Sequence, residues 1–213
     1  MQNTFKINSQ YNNLINLKVT PGHFATTSSH INYMIDLTTL KARCSEAKAV
    51  AKSMASEYIA TTVVDAIVCM DGTDVIGAYL ADELTSSGIM CMNQHQTIYV
   101  TTPEQNSQGQ LLFKDNLIPM IKGKHILLLL ATATTGQTVD KAIECINYYG
   151  GTIEGISAIF SATDEVQGMP IHAIFHSKDI EGYTSYPSHD CPLCKAGQKL
   201  DAIISAGGFQ VIQ

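Results

Sequence analysis

The hydrophobic and polar positions of the chain form two patterns: short apolar runs, and longer stretches in which apolar residues recur every three or four positions. The runs predict buried strands and the helical spacing predicts amphipathic helices. Strands are predicted over residues 32–37, 63–70, 88–92, 97–101, 110–113, 126–131, 155–161 and 171–176. Helices are predicted from Thr38 or Thr39 to about residue 58, and over 75–84 and 139–149. This alternation predicts an α/β fold with a mainly parallel, twisted sheet flanked by helices.

The same pattern divides the chain into three parts. Residues 1–37 have little periodicity and form an N-terminal segment, and residues 38–180 form the α/β core. Residues 181–213 combine two prolines with two cysteines and predict an irregular C-terminal tail packed on the core. A polar loop over 102–109 joins two of the predicted core strands.

Composition narrows the possible partners. The chain has 213 residues, 45% hydrophobic and 15% charged, which suits one compact domain. A net charge of −6 argues against a nucleic-acid partner. The longest apolar run, residues 126–131, is one strand long, so no membrane span is expected. The N-terminus lacks the pattern of a secretory signal, which predicts a cytoplasmic location. Arg43 is the single arginine, so a bound phosphate would depend mainly on backbone N–H groups and hydroxyls.

Two cysteines near the C-terminus have the spacing of metal ligands. Cys191 and Cys194 form a CxxC pair, but a structural zinc ion normally takes four ligands. His189, Cys44 or His176 could complete such a site. Two reduced thiols in a packed tail are the favoured interpretation, so Cys191 and Cys194 are zinc candidates only and no metal is predicted.

The residues with the clearest chemistry follow the strand at 126–131. The chain continues as Thr-Ala-Thr-Thr-Gly-Gln-Thr over 132–138, and a helix follows directly. Gly136 permits a tight reversal, and the helix N-terminus with the hydroxyls of Thr134, Thr135 and Thr138 could hold an anion. An ordinary strand–helix turn with Thr138 as N-cap is the alternative, and these residues alone favour neither.

This segment resembles the ribose-5-phosphate loop of the type I phosphoribosyltransferases. The resemblance implies a phosphate site formed by Ala133, Thr134, Thr135, Gly136, Gln137 and Thr138. Residues 22–30, Gly-His-Phe-Ala-Thr-Thr-Ser-Ser-His, look like the base-binding N-terminal segment of the orotate phosphoribosyltransferases, with Phe24, Thr26 and Thr27 as base-binding candidates. The Cys-Pro-Leu-Cys-Lys-Ala-Gly tail, residues 191–197, resembles the end of some of these enzymes.

A further match occupies the family's pyrophosphate-loop position and consists of Met70, Asp71, Gly72 and Thr73. The family resemblance implies a type I phosphoribosyltransferase-like fold in which residues 1–37 form a hood over the carboxyl edge of the sheet. It also implies a homodimer, a nucleotide or sugar-phosphate ligand, and a role in pyrimidine nucleotide synthesis or salvage. Mg²⁺ would be required only if the protein is catalytically active.

The sequence departs from the family at two places that matter for catalysis. The two adjacent acids that contact ribose hydroxyls in the family are replaced by Leu130 and Ala131. The stretch that matches the family's cationic flexible loop, residues 100–109, contains no Lys or Arg. Lys41, on the polar face of the first predicted helix, is interpreted as solvated. No catalytic residue can therefore be assigned, and the expected function is phosphate binding with weak or no standard transferase activity.

Two other functions remain open. One is an active phosphoribosyltransferase with rearranged catalytic groups, in which Asp71 supplies part of a Mg²⁺ site. The other is a regulatory RNA-binding role, as in an offshoot of this superfamily, which the acidic net charge opposes.

Overall fold

The structure is a computed structural model that describes residues 3–86, 91–94, 96–205 and 207–212. Its strands are β1 Phe5–Asn8, β2 Asn16–Ala25, β3 Ser29–Asp36, β4 Ala66–Cys69, β5 Tyr99–Thr101, β6 Glu104–Gln105, β7 Leu111–Leu112, β8 His125–Ala133, β9 Thr152–Ser161, β10 Glu165–Val166, β11 Met169–His176, β12 Ser185–Pro187, β13 Ala202–Ser205 and β14 Gly208–Val211. Its α-helices are α1 Thr38–Ala42, α2 Cys44–Ala55, α3 Asp74–Ser86, α4 Gln137–Tyr148 and α5 Pro192–Lys195. Short 3₁₀ turns occupy Ile118–Met120, Ser177–Asp179 and Ser188–Asp190.

The central sheet has the strand order β10-β11-β9-β8-β4-β5. Its strand pairs are parallel except for the antiparallel pair of β10 and β11. Strand β8 lies in the middle, and its side chains alternate between two cores: Leu127 and Leu129 pack on one face, and Leu128 and Leu130 on the other. The predicted α/β fold with a mainly parallel sheet is confirmed.

Helices cover both faces of this sheet. Helices α2 and α3 contribute Val50 and Leu80 to the core on one face, and α4 contributes Val139 and Ile146 to the other. The continuous helix predicted from residue 38 to 58 is wrong, because Arg43 has an extended backbone with ψ of 114° and separates α1 from α2. Helices α1 and α2 are therefore two separate helices.

A second sheet, the hood sheet, joins the two ends of the chain. Its order is β12-β3-β2-β13-β14, with β1 also paired to β2. Strand β13 runs parallel to β2, with Ala202 opposite Phe24, and β12 runs antiparallel to β3, with Tyr186 opposite His30. The prediction of an irregular tail is wrong. The tail strands are short and keep Ile203 half exposed, so they lack the apolar alternation that predicts a strand.

The segment between β4 and β8 also differs from its prediction. Strand β5 forms the edge of the central sheet, whereas β6 and β7 form a separate hairpin inside what the sequence predicted as a polar loop and a following strand. The strand predicted over 88–92 falls largely on residues 88–90, which lie outside the described residues. Among the described helices, none has the length and apolar character needed to span a bilayer.

Candidate functional site

The turn between β8 and α4 is built around a left-handed glycine. Gly136 has φ of 77° and is the N-cap of α4, which begins at Gln137. The alternative with Thr138 as N-cap is therefore wrong. Because a glycine cap offers no side-chain acceptor, the N–H groups in the first turn of α4 are available to another partner. Together with the helix dipole they form an anion-binding geometry.

This turn forms one wall of a cavity of about 430 Å³ at the carboxyl edge of the central sheet. Residues 131–139 line it from below, and the other walls come from the pyrophosphate-loop position, helix α1, the β6–β7 hairpin and the hood sheet. A volume of this size lies within the range of small-molecule sites, which is roughly 300–1,000 Å³. The described residues opposite the turn are Thr26, Thr27, Ser28, Ile204, Ser205, Gly207, Gly208 and Phe209.

Lys41 and Asp71 meet in this cavity. The Lys41 ammonium donates a hydrogen bond to the Asp71 backbone carbonyl, with Nζ and O 2.6 Å apart. Lys41 lines the cavity, so its interpretation as a solvated surface charge is wrong. The break between α1 and α2 turns this residue towards the sheet, and helical periodicity across the break could not show it.

The Asp71 carboxylate is largely enclosed. Burial raises the pKa of this carboxyl above its usual value, against the opposing effects of Lys41 and of hydrogen bonds from the backbone N–H groups of Ala131 and Thr132. Asp71 also has φ of 56°, an unusual backbone conformation for a residue other than glycine. The turn thus holds one carboxylate against the end of β8.

The two residues that replace the family's acids bring no carboxylate to the cavity. Leu130 is fully buried in the core under α4. Ala131 presents a methyl group to the cavity. A carboxylate therefore reaches this part of the cavity from Asp71, on the neighbouring strand end, rather than from β8.

The remaining predicted positions divide between the cavity and the core. Met70 lines the cavity, whereas Thr73 is fully buried and its hydroxyl donates to the Met70 carbonyl over 2.8 Å. Gly72 has φ of 73° and completes this turn. Thr26 and Thr27 line the cavity, but Phe24 is buried in the hood sheet and lies outside the set of described residues that line it.

The β6–β7 hairpin presents neutral side chains to the cavity. Gln105 and Leu111 line it, and Lys114, just after the hairpin, forms an ion pair with Glu104 at 2.6 Å. Lys141, on the second turn of α4, also lines the cavity. Positive charge at this site thus comes from Lys41 and Lys141, neither of which lies in the stretch that matches the family's flexible loop.

A second group of reactive side chains lies in the hood sheet. Ligand atoms of His23, His30, Cys191 and Cys194 all lie within 4.8 Å of one another. The residues named from the sequence as further ligands lie elsewhere: His176 caps the 3₁₀ turn at Ser177–Asp179 and Cys44 lies beside Tyr79, while His189 is exposed outside the group. The structure therefore places none of these three residues in the group around the CxxC pair.

The pKa of His30 is below its ordinary value, because its ring is partly desolvated and lies next to His23.

The fold is that of the type I phosphoribosyltransferases. Orotate phosphoribosyltransferase from Mycobacterium tuberculosis, solved with Fe(III) dicitrate, superposes with a TM-score of 0.53 at 14% identity over 78% of this chain and 93% of that one. UMP synthase from Leishmania donovani superposes with a TM-score of 0.52 at 18% identity over 74% of this chain and 33% of that one. At such identities these likenesses establish the fold.

Sequence similarity points to one branch of this class. Orotate phosphoribosyltransferase from Thermus thermophilus is 29% identical over 102 residues, 47% of this chain and 53% of that protein. Its counterpart from Caldanaerobacter subterraneus subsp. tengcongensis is 31% identical over 78 residues, 36% of this chain and 39% of that protein. The chain spans about half or less of the length of these curated relatives, and no family model matches it. The chain thus has the fold of the type I phosphoribosyltransferases, and about half of it is similar in sequence to orotate phosphoribosyltransferases.

Proposed function

We propose that this protein binds the 5′-phosphate of a nucleotide or phosphoribosyl ligand at residues 133–138, with weak or no standard transferase activity. The observation that carries the proposal is the left-handed Gly136, which opens the first turn of α4 into the cavity without a side-chain cap. Thr134, Thr135 and Thr138 add hydroxyl donors around the same point. Structures of the Mycobacterium tuberculosis enzyme with inorganic phosphate and with 5-phospho-α-D-ribosyl 1-diphosphate support this choice of ligand class.

The cavity is better suited to binding than to transfer. Departure of a diphosphate requires groups that stabilise its developing negative charge, and losing one such donor costs on the order of 10²–10³ in rate. The hairpin above the turn supplies Gln105 and Leu111 in place of cations. Leu130 is buried and Ala131 is apolar, so neither can hold ribose hydroxyls through its side chain.

Calorimetric titration with ribose 5-phosphate, a panel of nucleoside monophosphates and the matching nucleosides tests the proposal. We expect binding of the phosphorylated compounds and a loss of roughly tenfold or more for Thr135→Ala, because a hydrogen bond to a charged group contributes about 1.5–3 kcal/mol. Thr152→Ala, at the opposite edge of the sheet, is the matched control. Equal affinity for nucleosides and monophosphates, or no effect of Thr135→Ala, would overturn it.

An active transferase with rearranged groups is the second candidate, and the observation in its favour is the Asp71 carboxylate in a cavity that also holds Lys41 and Lys141. Mg²⁺ is commonly bound by one or two carboxylates together with substrate phosphates, so Asp71 is the residue that would hold it. This candidate predicts nucleotide formation from phosphoribosyl diphosphate, Mg²⁺ and orotate, uracil or a purine base, abolished by Asp71→Asn. Absence of turnover with every base eliminates it. A homodimer and a cytoplasmic location stay predictions.

A further inference from the structure

Four side chains from opposite ends of the chain converge in the hood sheet. His23 comes from β2 and His30 from β3, while Cys191 directly precedes α5 and Cys194 lies within it. His23 and Cys191 are buried, and Cys194 lies on the outer side of the group. The sequence separations between the histidines and the cysteines exceed 160 residues.

The orientation of His23 shows what this group can do. Its Nδ1 lies 2.9 Å from the backbone carbonyl of Gln198, which can only accept a hydrogen bond, so Nδ1 carries the ring proton. Its Nε2 then has a single in-plane lone pair. That atom nevertheless faces three neighbours: Nδ1 of His30 at 3.1 Å, Sγ of Cys191 at 3.5 Å and Sγ of Cys194 at 3.6 Å. One lone pair cannot accept three separate hydrogen bonds, whereas it can point to a cation at the centre of the group.

Four of the six distances between the ligand atoms agree with tetrahedral coordination, and all six are within 4.8 Å. Around a zinc ion with ordinary bond lengths, two ligands lie about 3.3 Å apart if both are nitrogens, about 3.6 Å for a nitrogen and a sulfur, and about 3.8 Å for two sulfurs. The two histidine nitrogens are 3.1 Å apart, and Sγ of Cys194 lies 3.3 Å from Nδ1 of His30. The two contacts of His23 with sulfur, 3.5 and 3.6 Å, match the same edges.

We propose that His23, His30, Cys191 and Cys194 form a structural zinc site. Two thiolates and two imidazoles are a ligand set that Zn²⁺ takes in closed, four-coordinate sites. The hydrogen bond from His23 to the Gln198 carbonyl fixes the tautomer and the ring orientation, as outer partners of metal-bound histidines usually do. With four protein ligands the ion has no position left for a substrate.

The hood sheet connects the proposed zinc site to the cavity. The turn between β2 and β3 carries Thr26 and Thr27, and the two histidines lie on either side of it. Asp201 then links β2 to the start of β13: its carboxylate accepts from the His23 N–H at 2.8 Å and its own N–H donates to the His23 carbonyl at 2.7 Å. The zinc ion thus holds together the two segments that form the upper wall of the cavity.

Metal analysis of the purified protein tests the site. Protein produced in zinc-supplemented medium and dialysed against metal-free buffer is expected to retain one zinc ion per chain by mass spectrometry of the metal. Cys194→Ser and His30→Gln should each lose most of it. His189→Ala and Cys44→Ser are matched controls of the same residue types outside the group and should keep it. Zinc content that is substoichiometric and equal in the wild type and the ligand variants would overturn the proposal.

Two measurements on the unmodified protein keep the test independent of variant folding. Titration of the chelated protein with Co²⁺ should produce the visible bands of a tetrahedral thiolate-bound ion, saturating at one equivalent. Chelation should lower the midpoint of thermal unfolding, and Zn²⁺ should restore it. Octahedral Co²⁺ spectra, a Cys191–Cys194 disulfide in freshly purified protein, or an unfolding midpoint unaffected by chelation would contradict a structural zinc site. Binding of the phosphate ligand is measured separately, so the failure of one proposal can be told apart from the failure of the other.

Discussion

The Lys41 ammonium reaches across the carboxyl edge of the sheet and donates to the Asp71 carbonyl, with Nζ and O 2.6 Å apart. This contact ties α1 to the turn after β4 and places a cation beside the phosphate-type turn. A cation in this position supports anion binding even though the β6–β7 hairpin presents only neutral side chains to the cavity.

Replacing Lys41 by Met should therefore weaken binding of a monophosphate by roughly tenfold, which corresponds to about 1.4 kcal/mol. The loss should be larger at low ionic strength, because screening weakens the interaction of partly exposed charges. Calorimetry at two salt concentrations measures both effects. Lys48→Met is the control, because Lys48 lies on α2 and its ammonium is over the ring of Tyr79 on α3. Equal losses in the two variants would show that only net charge matters.

Gly136→Ala should destabilise the fold as well as the site. A Cβ atom at this position would lie 2.9 Å from Cγ2 of Val166, and the φ of 77° disfavours any side chain by about 1–2 kcal/mol. Urea unfolding of Gly136→Ala, Val166→Ala and the double variant forms a double-mutant cycle. The cycle separates the cost of the contact with Val166 from the cost of the backbone conformation. The double variant should recover the part due to the Val166 contact. Strict additivity of the two single changes would contradict that contact.

Asp71 should make stability fall as pH rises. Burial raises its pKa in the folded protein above the ordinary value of 3.8, so the folded state binds more protons than the unfolded state between those two values. The free energy of unfolding must then decrease with rising pH across that window, as far as this group is concerned. Asp71→Asn removes the titrating group, and the wild-type minus variant difference should decline through the window. Urea unfolding at a series of pH values measures it, and a difference that rises with pH would refute the assignment.

Tyr183→Phe should stabilise the protein by about 1 kcal/mol, because a buried hydroxyl without a partner carries a desolvation cost. Among the described residues, the Tyr183 hydroxyl has no hydrogen-bond partner, while its ring packs edge-on against Phe160. Tyr58→Phe is the matched control with the opposite expected sign, since the Tyr58 hydroxyl lies 2.8 Å from the Ser157 hydroxyl. Chemical denaturation measures the free energy of unfolding of both variants. A change of the same sign in the two variants would contradict the prediction.

The sequence by itself determined the features that are local in the chain. The contiguous apolar run of β8, the glycine after it and the periodic helix that follows predict the strand–turn–helix unit, because each depends on neighbours within a few residues. The alternation of such strand and helix patterns was also enough to predict the parallel sheet. The helix starts earlier than predicted and Gly136 is its cap, which is a shift within the same local unit.

Only the tertiary structure decided which distant residues meet. Lys41 enters the cavity because Arg43 breaks the helix, and periodicity treats the two halves as one. His23 and His30 meet the CxxC pair because β13 adds to β2 and β12 to β3, pairings between the two ends of the chain. Strands β12 and β13 are only three and four residues long and mostly exposed or half-buried, so their pairing depends mainly on backbone hydrogen bonds. The pattern of side chains along the sequence therefore gives little indication of which strands pair.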